Sequence, residues 1–143
     1  MALIPPIGHA VWALARSAGE VNGASPVAIA LAAAMLELSL FAGLVAAVVG
    51  AARMNGARVT PLELVRRLAL AQSPAALYFL GLVPAITHFA PLLPLVLAAR
   101  LATSVRVTVH VERLGAAVAV AAVLIGSAVG VLLGFATASL IYS

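Results

Sequence analysis

Hydrophobic and polar positions are segregated along this chain: extended apolar runs are separated by short polar stretches. A run of about 20 apolar residues is the length that an α-helix needs to cross a bilayer. The pattern therefore predicts an all-α fold, a polytopic transmembrane helical bundle of about four spans. The predicted spans cover about residues 26–52, 68–86, 91–111 and 114–142.

Start signals for helices stand at the edges of these runs. Ser25 can cap the first span, because a serine oxygen accepts from the free N–H groups of the first turn. Thr60 and Glu63 have the spacing of a capping box, which predicts a helix that continues into the second span. Pro74 and Pro84 fall inside that span, and each removes a backbone hydrogen bond. We therefore expect the second span to be bent.

The start of the chain forms a different kind of segment, because its apolar stretch is short and contains two prolines. The sequence predicts a short helix over residues 6–17, with Trp12 suited to the membrane–water interface. We therefore divide the chain into an N-terminal interfacial segment, residues 1–24, and a four-span transmembrane bundle, residues 25–143. A short re-entrant segment is the alternative for the first helix.

Composition supports a membrane location. Hydrophobic residues make up 65% of the chain and charged residues 8%, whereas ordinary soluble domains hold about 45–50% and about 25%. The net charge of +4 arises from eight arginines set against four glutamates. Because no basic run with interleaved aromatic residues is present, nucleic acid is not an expected partner. The absence of cysteine excludes disulfides and thiol chemistry.

The arginines are distributed unevenly between the predicted connections. Four of them lie in residues 53–67, and none lies in residues 87–89 between the second and third spans. Because arginine-rich connections favour the cytoplasmic side, we predict a multi-pass protein of the bacterial inner (cytoplasmic) membrane with the 53–67 loop in the cytoplasm. Membrane lipids are expected partners. The arginines predicted to contact lipid headgroups are Arg53, Arg58, Arg66, Arg67, Arg106 and Arg113.

Two charged residues fall deep inside predicted spans. Glu37 lies about ten residues from the outer start of the first span, and Arg100 lies about nine residues from the outer start of the third. At about 1.5 Å per residue, both are roughly 14–15 Å deep, near the middle of the bilayer. A charge at that depth normally has a partner, so we expect an intramembrane ion pair. The pair could fix helix register, contact another subunit, or serve as a proton or cation relay.

The last span carries a stripe of small residues at a spacing of four. Its members are Ala122, Gly126, Gly130, Gly134 and Ala138. Interior glycines weaken a helix by about 0.8–1 kcal/mol each relative to alanine, but in a membrane small residues let two helix backbones approach closely. We therefore predict a helix-packing face, which could dock on the first span of the same chain or on a partner chain.

No motif for catalysis or for a bound group is present. His9, His88 and His110 are far apart in the sequence and lack metal-ligand spacing. The chain has no glycine-rich phosphate loop, no Ser/His/Asp set and no paired carboxylates. We therefore expect no enzymatic activity, no metal site and no cofactor.

Two adjoining segments resemble the YIP-domain family of multispan membrane proteins: VTPLELVRRLALAQSPAALYFLGLVPAI and LLPLVLAARLATSVRVTVHVERLGAAVAVAAVLIGSAVGVLLG. The shared pattern is a short basic helix, a proline-bearing span, a span that ends in polar residues and a uniformly apolar last span. The likeness runs from about Pro26 to the C-terminus. It implies a helical membrane fold, usually of five spans in the family. Eukaryotic members are linked to membrane traffic and small GTPases, and the resemblance supplies no catalytic residue.

These features together predict a non-enzymatic protein whose work is packing in the bilayer. We expect an accessory or scaffold subunit of a larger membrane complex, because the chain has almost no part outside the predicted spans. Other transmembrane subunits are the expected partners. The competing interpretation is a small transporter or channel, assembled as a homo-oligomer, that uses intramembrane Glu37.

Overall fold

The computed structural model of the chain describes residues 4–17, 25–57, 60–82, 89, 91–111 and 114–142. Nearly all of these residues are helical and none of them is in a β-strand, so the predicted all-α class is confirmed. In chain order the elements are α1 (Ile4–Ser17), α2 (Pro26–Met54), α3 (Pro61–Ala71), a 3₁₀ helix named η1 (Ser73–Leu82), α4 (Leu92–Val111) and α5 (Ala116–Tyr142).

Three helices in the described part of the chain are long and apolar enough to cross a membrane. They cover Pro26–Met54 in α2, Leu92–His110 in α4 and Ala116–Thr137 in α5. At about 1.5 Å per residue, even the shortest of them is about 28 Å long, close to the hydrocarbon thickness of a bilayer. These lengths and compositions are those of a multi-pass membrane protein, and they match the first, third and fourth predicted spans.

Two helices begin where the sequence signals place them, but only one has its side-chain cap. Ser25 Oγ accepts a hydrogen bond from the backbone N–H of Ala28, with 3.1 Å between the two atoms. Thr60 stands at the cap position of α3, yet its hydroxyl makes no cap bond within the described helix. Glu63 pairs instead with Arg67, one turn further along. The predicted capping box is therefore not formed, and α3 begins on the fixed backbone angle of the proline after Thr60.

The predicted second span, residues 68–86, follows a different course from a single α-helix. α3 ends at Ala71, and η1 continues the chain as a 3₁₀ helix. The break falls next to Pro74, because proline lacks an N–H and disfavours the α conformation in the residue before it. The end of this predicted span, with Pro84, lies outside the described residues.

α1 packs along α2 and η1. Its His9 contacts Glu37, which lies 11 positions into α2 (from 26 to 37), roughly 16 Å along the helix axis. At Gly8, an added Cβ would stand 3.2 Å from the Cβ of Tyr78 in η1. A helix that lies flat on the membrane surface does not reach that depth. The predicted interfacial position of α1 is therefore not confirmed.

The most extensive contact between helices joins α2 and α5. The two helices are antiparallel, since Gly126 lies beside Leu44 and Ala47 whereas Gly134, two turns later, lies beside Leu36. Lipid tails are as apolar as leucine, so apolar character alone does not hold these helices together in a bilayer. Close packing of the backbones and the dispersion contacts that follow from it supply the attraction.

Buried apolar side chains form two clusters elsewhere in the bundle. The first joins α2, α3 and α5 through Leu44, Val48, Leu64, Leu68, Ala122 and Val123. The second joins η1 and α4 through Ala75, Tyr78, Leu92 and Val96. Along the chain, Gln72 stands between the α3 residues of the first cluster and the η1 residues of the second. A group of buried polar side chains, which includes Gln72, lies between the two apolar clusters.

Candidate functional site, a buried polar cluster

Glu37 of α2 and Arg100 of α4 meet inside the bundle. Arg100 Nη1 lies 2.6 Å from Glu37 Oε2, and only 1% of Arg100 and 3% of Glu37 remain exposed. The structure thus brings together the two residues whose depth along the sequence predicts that they pair. A charge-assisted contact of this length offsets part of the free energy lost when both groups leave water.

The other oxygen of Glu37 is held by α1. His9 Nδ1 lies 3.0 Å from Glu37 Oε1. The imidazole therefore contacts the carboxylate on the oxygen that Arg100 Nη1 does not approach. His9 thus joins α1 to the cluster through Glu37.

Tyr78 of η1 packs against both His9 and Glu37. Its ring stacks on the imidazole, with the two ring centroids 5.1 Å apart and the ring planes 19° apart. Its hydroxyl points to Glu37 Oε1 at 3.5 Å, the outer limit of a hydrogen bond. Towards these two residues, Tyr78 therefore contributes mainly packing, and it fixes the plane of the imidazole.

Gln72 extends the cluster on the far side of the guanidinium. Arg100 Nε donates to Gln72 Oε1 at 2.7 Å, and Gln72 Nε2 donates to Ser104 Oγ at 3.1 Å. Thr103 Oγ1 also donates to the carbonyl oxygen of Ala71 at 2.6 Å, which satisfies an acceptor left free at the end of α3. The break between α3 and η1 is therefore tied to α4 by polar contacts.

The cluster can hold helices in register, because its members come from α1, α2, η1 and α4. A guanidinium has donors only and does not release its proton in a protein. Arg100 lies between the His9–Glu37 side and the Gln72–Ser104 side of the cluster. In the part of the chain that the structure describes, no group of three or more His, Asp or Glu residues could hold a metal ion.

A cavity of about 380 Å³ reaches the edge of the cluster from the side of the bundle. It lies between α1, α2 and α5, and its lining residues are His9, Ala13, Ile29, Ala32, Ala33, Leu36, Gly134, Phe135 and Ser139. Because His9 both lines this cavity and contacts Glu37, the imidazole connects the cavity with the carboxylate.

The glycines of the predicted helix-packing face lie against α2 of the same chain. A Cβ added at Gly126 would stand 2.7 Å from the carbonyl oxygen of Gly43, and one added at Gly130 would stand 2.5 Å from Leu40 Cα. Real Cβ atoms essentially never approach other atoms within 3.0 Å. The contact therefore requires glycine at both positions, because the neighbouring atoms belong to a backbone that cannot move aside.

The remaining members of that face differ from one another. A Cβ added at Gly134 would stand 2.6 Å from Leu36 Cδ1, the flexible end of a side chain, and 2.9 Å from Leu36 Cα. Ala122 is buried in the apolar cluster of α2, α3 and α5. Ala138 belongs to α5, and its side chain lies outside the described residues. The three glycines therefore pack against α2 of the same chain, which is the first of the two predicted alternatives.

Four of the six arginines predicted to contact headgroups lie in the described part of the chain. Three are exposed, namely Arg53 in α2, Arg66 in α3 and Arg106 in α4. Arg67 pairs with Glu63 on the same helix. Arg58 and Arg113 lie outside the described residues. Contact of these arginines with lipid headgroups stays a prediction.

Sequence reasoning missed four members of the polar cluster: His9, Gln72, Tyr78 and Ser104. One signal was present, since Arg100, Ser104 and Thr108 recur every four residues and so share one face of α4. A second signal was the isolated amide of Gln72 in an otherwise apolar stretch. His9 and Tyr78 had no comparable signal, because their contacts depend on how α1 and η1 pack.

Comparisons of the chain with protein-family models, with curated proteins and with solved structures give no match. The resemblance to the YIP-domain family therefore stays a prediction. The fold and the buried cluster define a class of protein: an all-α membrane protein whose helices are joined by buried polar contacts on one side and by close backbone packing on the other.

Proposed function

We propose that this protein is a non-enzymatic subunit that packs within a larger membrane protein complex as an accessory or scaffold component. The observation that carries the proposal is the closure of the polar cluster, in which Glu37 and Arg100 are 3% and 1% exposed and contact each other. A carboxylate that moves ions or protons faces a water-filled path. A closed pair instead holds α2 and α4 at one depth.

The outer surface of the bundle supports a role in lateral contact. Large apolar side chains are exposed on both long outer helices, for example Leu31 and Leu38 on α2 and Leu132 and Phe135 on α5. Within a bilayer, such side chains meet either lipid or another transmembrane helix. Other transmembrane subunits are the partners that fit this surface.

The proposed topology has four crossings, with α3 and η1 together as the second. Their 11 α-helical and 10 3₁₀ residues extend about 16 Å and about 20 Å when placed end to end. Leu68 packs with Val48 near the end of α2, whereas Tyr78 reaches Glu37, so the path runs back along α2 towards its start. α1 is then a re-entrant helix that enters from the side on which α2 begins.

The proposed orientation places the 53–67 loop in the cytoplasm of a bacterium, with the bundle in the inner membrane. It is supported by exposed Arg53 and Arg66 at the end of the bundle where α2 ends and α3 begins. Because the chain has no cysteine, an Ala57→Cys variant should resist a membrane-impermeant maleimide in intact spheroplasts. The control Ser25→Cys should react under the same conditions, and the reverse result would invert the orientation.

Extraction in mild detergent, followed by mass analysis of the chains that co-purify, tests the accessory role. We expect one or more other membrane chains in fixed stoichiometry with this protein. Leu132→Ser on α5 and Leu31→Ser on α2 then identify the partner face, because loss of the partner with an unchanged melting temperature marks a contact residue. A lone monomer or homo-oligomer would contradict the proposal.

The second candidate function is a small homo-oligomeric transporter or channel that uses Glu37. The cavity beside His9 favours it, because the imidazole that lines the cavity also contacts the carboxylate. Reconstituted proteoliposomes separate the two candidates. Transport predicts a flux of protons or alkali cations that Glu37→Gln abolishes while assembly persists, and the absence of flux from the unmodified protein would rule this candidate out.

A further inference from the structure

The cavity beside His9 differs from a purely apolar groove in what lines it. It lies between α1, α2 and α5, and two of the nine described residues that line it, His9 and Ser139, have polar side chains. Ser139 Oγ donates to the carbonyl oxygen of Ala136 on its own helix at 2.7 Å, so the side chain that sets this cavity apart is His9. The described lining of a neighbouring cavity between α1 and α2 is apolar throughout.

The imidazole of His9 is held in a fixed orientation. Its Nδ1 lies 3.0 Å from Glu37 Oε1, and its ring stacks on Tyr78 with 5.1 Å between the ring centroids. Only 8% of His9 is exposed, although the residue lines the cavity. A ring nitrogen of histidine donates or accepts a hydrogen bond, depending on its protonation. A ligand in the cavity therefore meets one oriented polar side chain.

In the proposed topology, this cavity lies within the hydrocarbon layer. Its α2 lining runs from Ile29 to Leu36, which is 3 to 10 positions after Pro26, where α2 begins, and roughly 4–15 Å along the helix axis. The next residue, Glu37, is the carboxylate that the count along the sequence places near the middle of the bilayer. A ligand therefore reaches the cavity from the lipid and has to be soluble there.

The lining favours a neutral, flat ligand. No Asp, Glu, Lys or Arg is among the described residues that line the cavity, so a charged head group would lose its water without gaining a counterion from the lining. Phe135 lines the cavity and is 63% exposed, and an aromatic ring packs well against another flat ring. A volume of about 380 Å³, mostly apolar with one oriented polar group, is typical of a small-molecule site.

We infer that this cavity binds a lipid-soluble quinone, with the quinone ring against Phe135 and one quinone oxygen on the imidazole of His9. The carbonyl of a quinone accepts a hydrogen bond and the hydroxyl of its quinol form donates one, so either form can pair with a histidine. Binding of this kind requires that the bundle lie in a membrane. It rests neither on the accessory role nor on transport, so a protein without co-purifying chains and without ion flux leaves it standing.

Equilibrium dialysis of the full-length protein in mild detergent tests the hydrogen bond. The probes are menadione, a naphthoquinone, and methylnaphthalene, which has the same fused rings without the oxygens; detergent without protein corrects for uptake by micelles. Because the chain has no cysteine, menadione forms no thiol adduct with it. We expect menadione to bind about fivefold more tightly, the factor that one hydrogen bond supplies. Equal binding of the two probes would overturn the inference.

His9→Phe tests the residue that makes this contact, because it keeps an aromatic ring beside Tyr78 and removes both ring nitrogens. This variant should bind the two probes equally. The matched control is His110→Phe, which makes the same exchange at an exposed position of α4 and should keep the preference for menadione. A preference that persists in His9→Phe would overturn the inference.

Filling the cavity tests its location without a change to the polar cluster. Ala32→Leu fills part of this cavity, whereas Ala30→Leu places the same side chain in the neighbouring apolar cavity. Both alanines are half-buried on α2. We expect Ala32→Leu to lose most of its menadione binding and Ala30→Leu to keep it. Unchanged binding in Ala32→Leu, or an equal loss in both variants, would overturn the inference, and this comparison decides it even where His9→Phe does not fold.

Discussion

α2 is held on its two sides by opposite means. Towards α5, backbone meets backbone, because Gly43, Gly126 and Gly130 present no side chains. Towards α1, η1 and α4, the contact includes buried polar side chains centred on Glu37 and Arg100. In a bilayer the hydrophobic effect does not draw helices together, so close packing and polar contacts remain as the attractive forces. The first side should therefore respond to volume, and the second to charge and hydrogen bonding.

The largest effect is expected on the polar side, from Arg100→Gln. This substitution leaves the carboxylate of Glu37 buried without its cation, and loss of one partner of a buried pair costs about 3–5 kcal/mol. We expect a lower free energy of unfolding by that amount, measured by titration of the purified protein with a denaturing detergent.

The double variant Glu37→Gln/Arg100→Gln is the control for that prediction. It removes both charges and places amide groups at both positions, so it should recover most of the lost stability. A double variant as unstable as Arg100→Gln alone would show that charge compensation does not govern this side of α2.

The second effect concerns volume on the glycine side. Gly130→Leu forces atoms into space where an added Cβ alone would stand 2.5 Å from Leu40 Cα. We expect a loss of about 3 kcal/mol, because overpacking against a backbone forces the helices apart. The matched control is Gly50→Leu, since that position is open, and it should leave the unfolding free energy unchanged or higher. Equal losses in both variants would mean that the glycines matter only for helix propensity.

A smaller loss is expected for Gln72→Leu. The substitution keeps apolar volume but removes the acceptor of Arg100 Nε and the donor to Ser104 Oγ. Leaving buried polar groups unpaired costs about 1–3 kcal/mol. In a double-mutant cycle with Ser104→Ala, the combined loss should fall short of the sum, because the two side chains share one hydrogen bond. Strict additivity would contradict the proposed link across the guanidinium.

The smallest effect is expected for Ser127→Ala on α5. Its hydroxyl is buried and has no hydrogen-bond partner within the described residues. Removing an unpaired buried polar group should leave stability unchanged or raise it by up to about 1 kcal/mol. Ser104→Ala is the control on the polar side, and it should be destabilising in the same titration with denaturing detergent. A clear loss for Ser127→Ala would place a polar contact on the side that we assign to packing alone.

The sequence predicts the position of the charged pair well, because depth in a membrane helix follows directly from residue number. Glu37 and Arg100 lie on helices that begin close to the predicted starts, 11 positions from Pro26 and 8 positions from Leu92, so each helix carries its charged residue to a similar depth. The uniformly apolar α5 is predicted for the same reason. The depth of the charged pair and the extent of α5 both follow from the pattern of apolar and charged residues along the chain. Neither prediction needs knowledge of tertiary packing.

The rest of the cluster could not be predicted in this way. Pro74 shows that an α-helix breaks, but it does not show that a 3₁₀ helix follows, and the position of Tyr78 depends on that difference. His9 lies on a helix too short to cross the membrane. Its depth therefore cannot be obtained by counting residues from a membrane surface. Its contact with Glu37 is set by the packing of α1 on α2 and η1.

The arrangement of the cluster also sets an order of events during synthesis. Glu37 leaves the ribosome with α2, well before α4 delivers Arg100, so the carboxylate enters the bilayer ahead of its cation. His9 is already present on α1, and it is the earliest group with which Glu37 can share a proton. The pair that fixes the register of α2 and α4 therefore forms only after α4 has been made, and a chain that stalls between α2 and α4 carries a carboxylate without its cation.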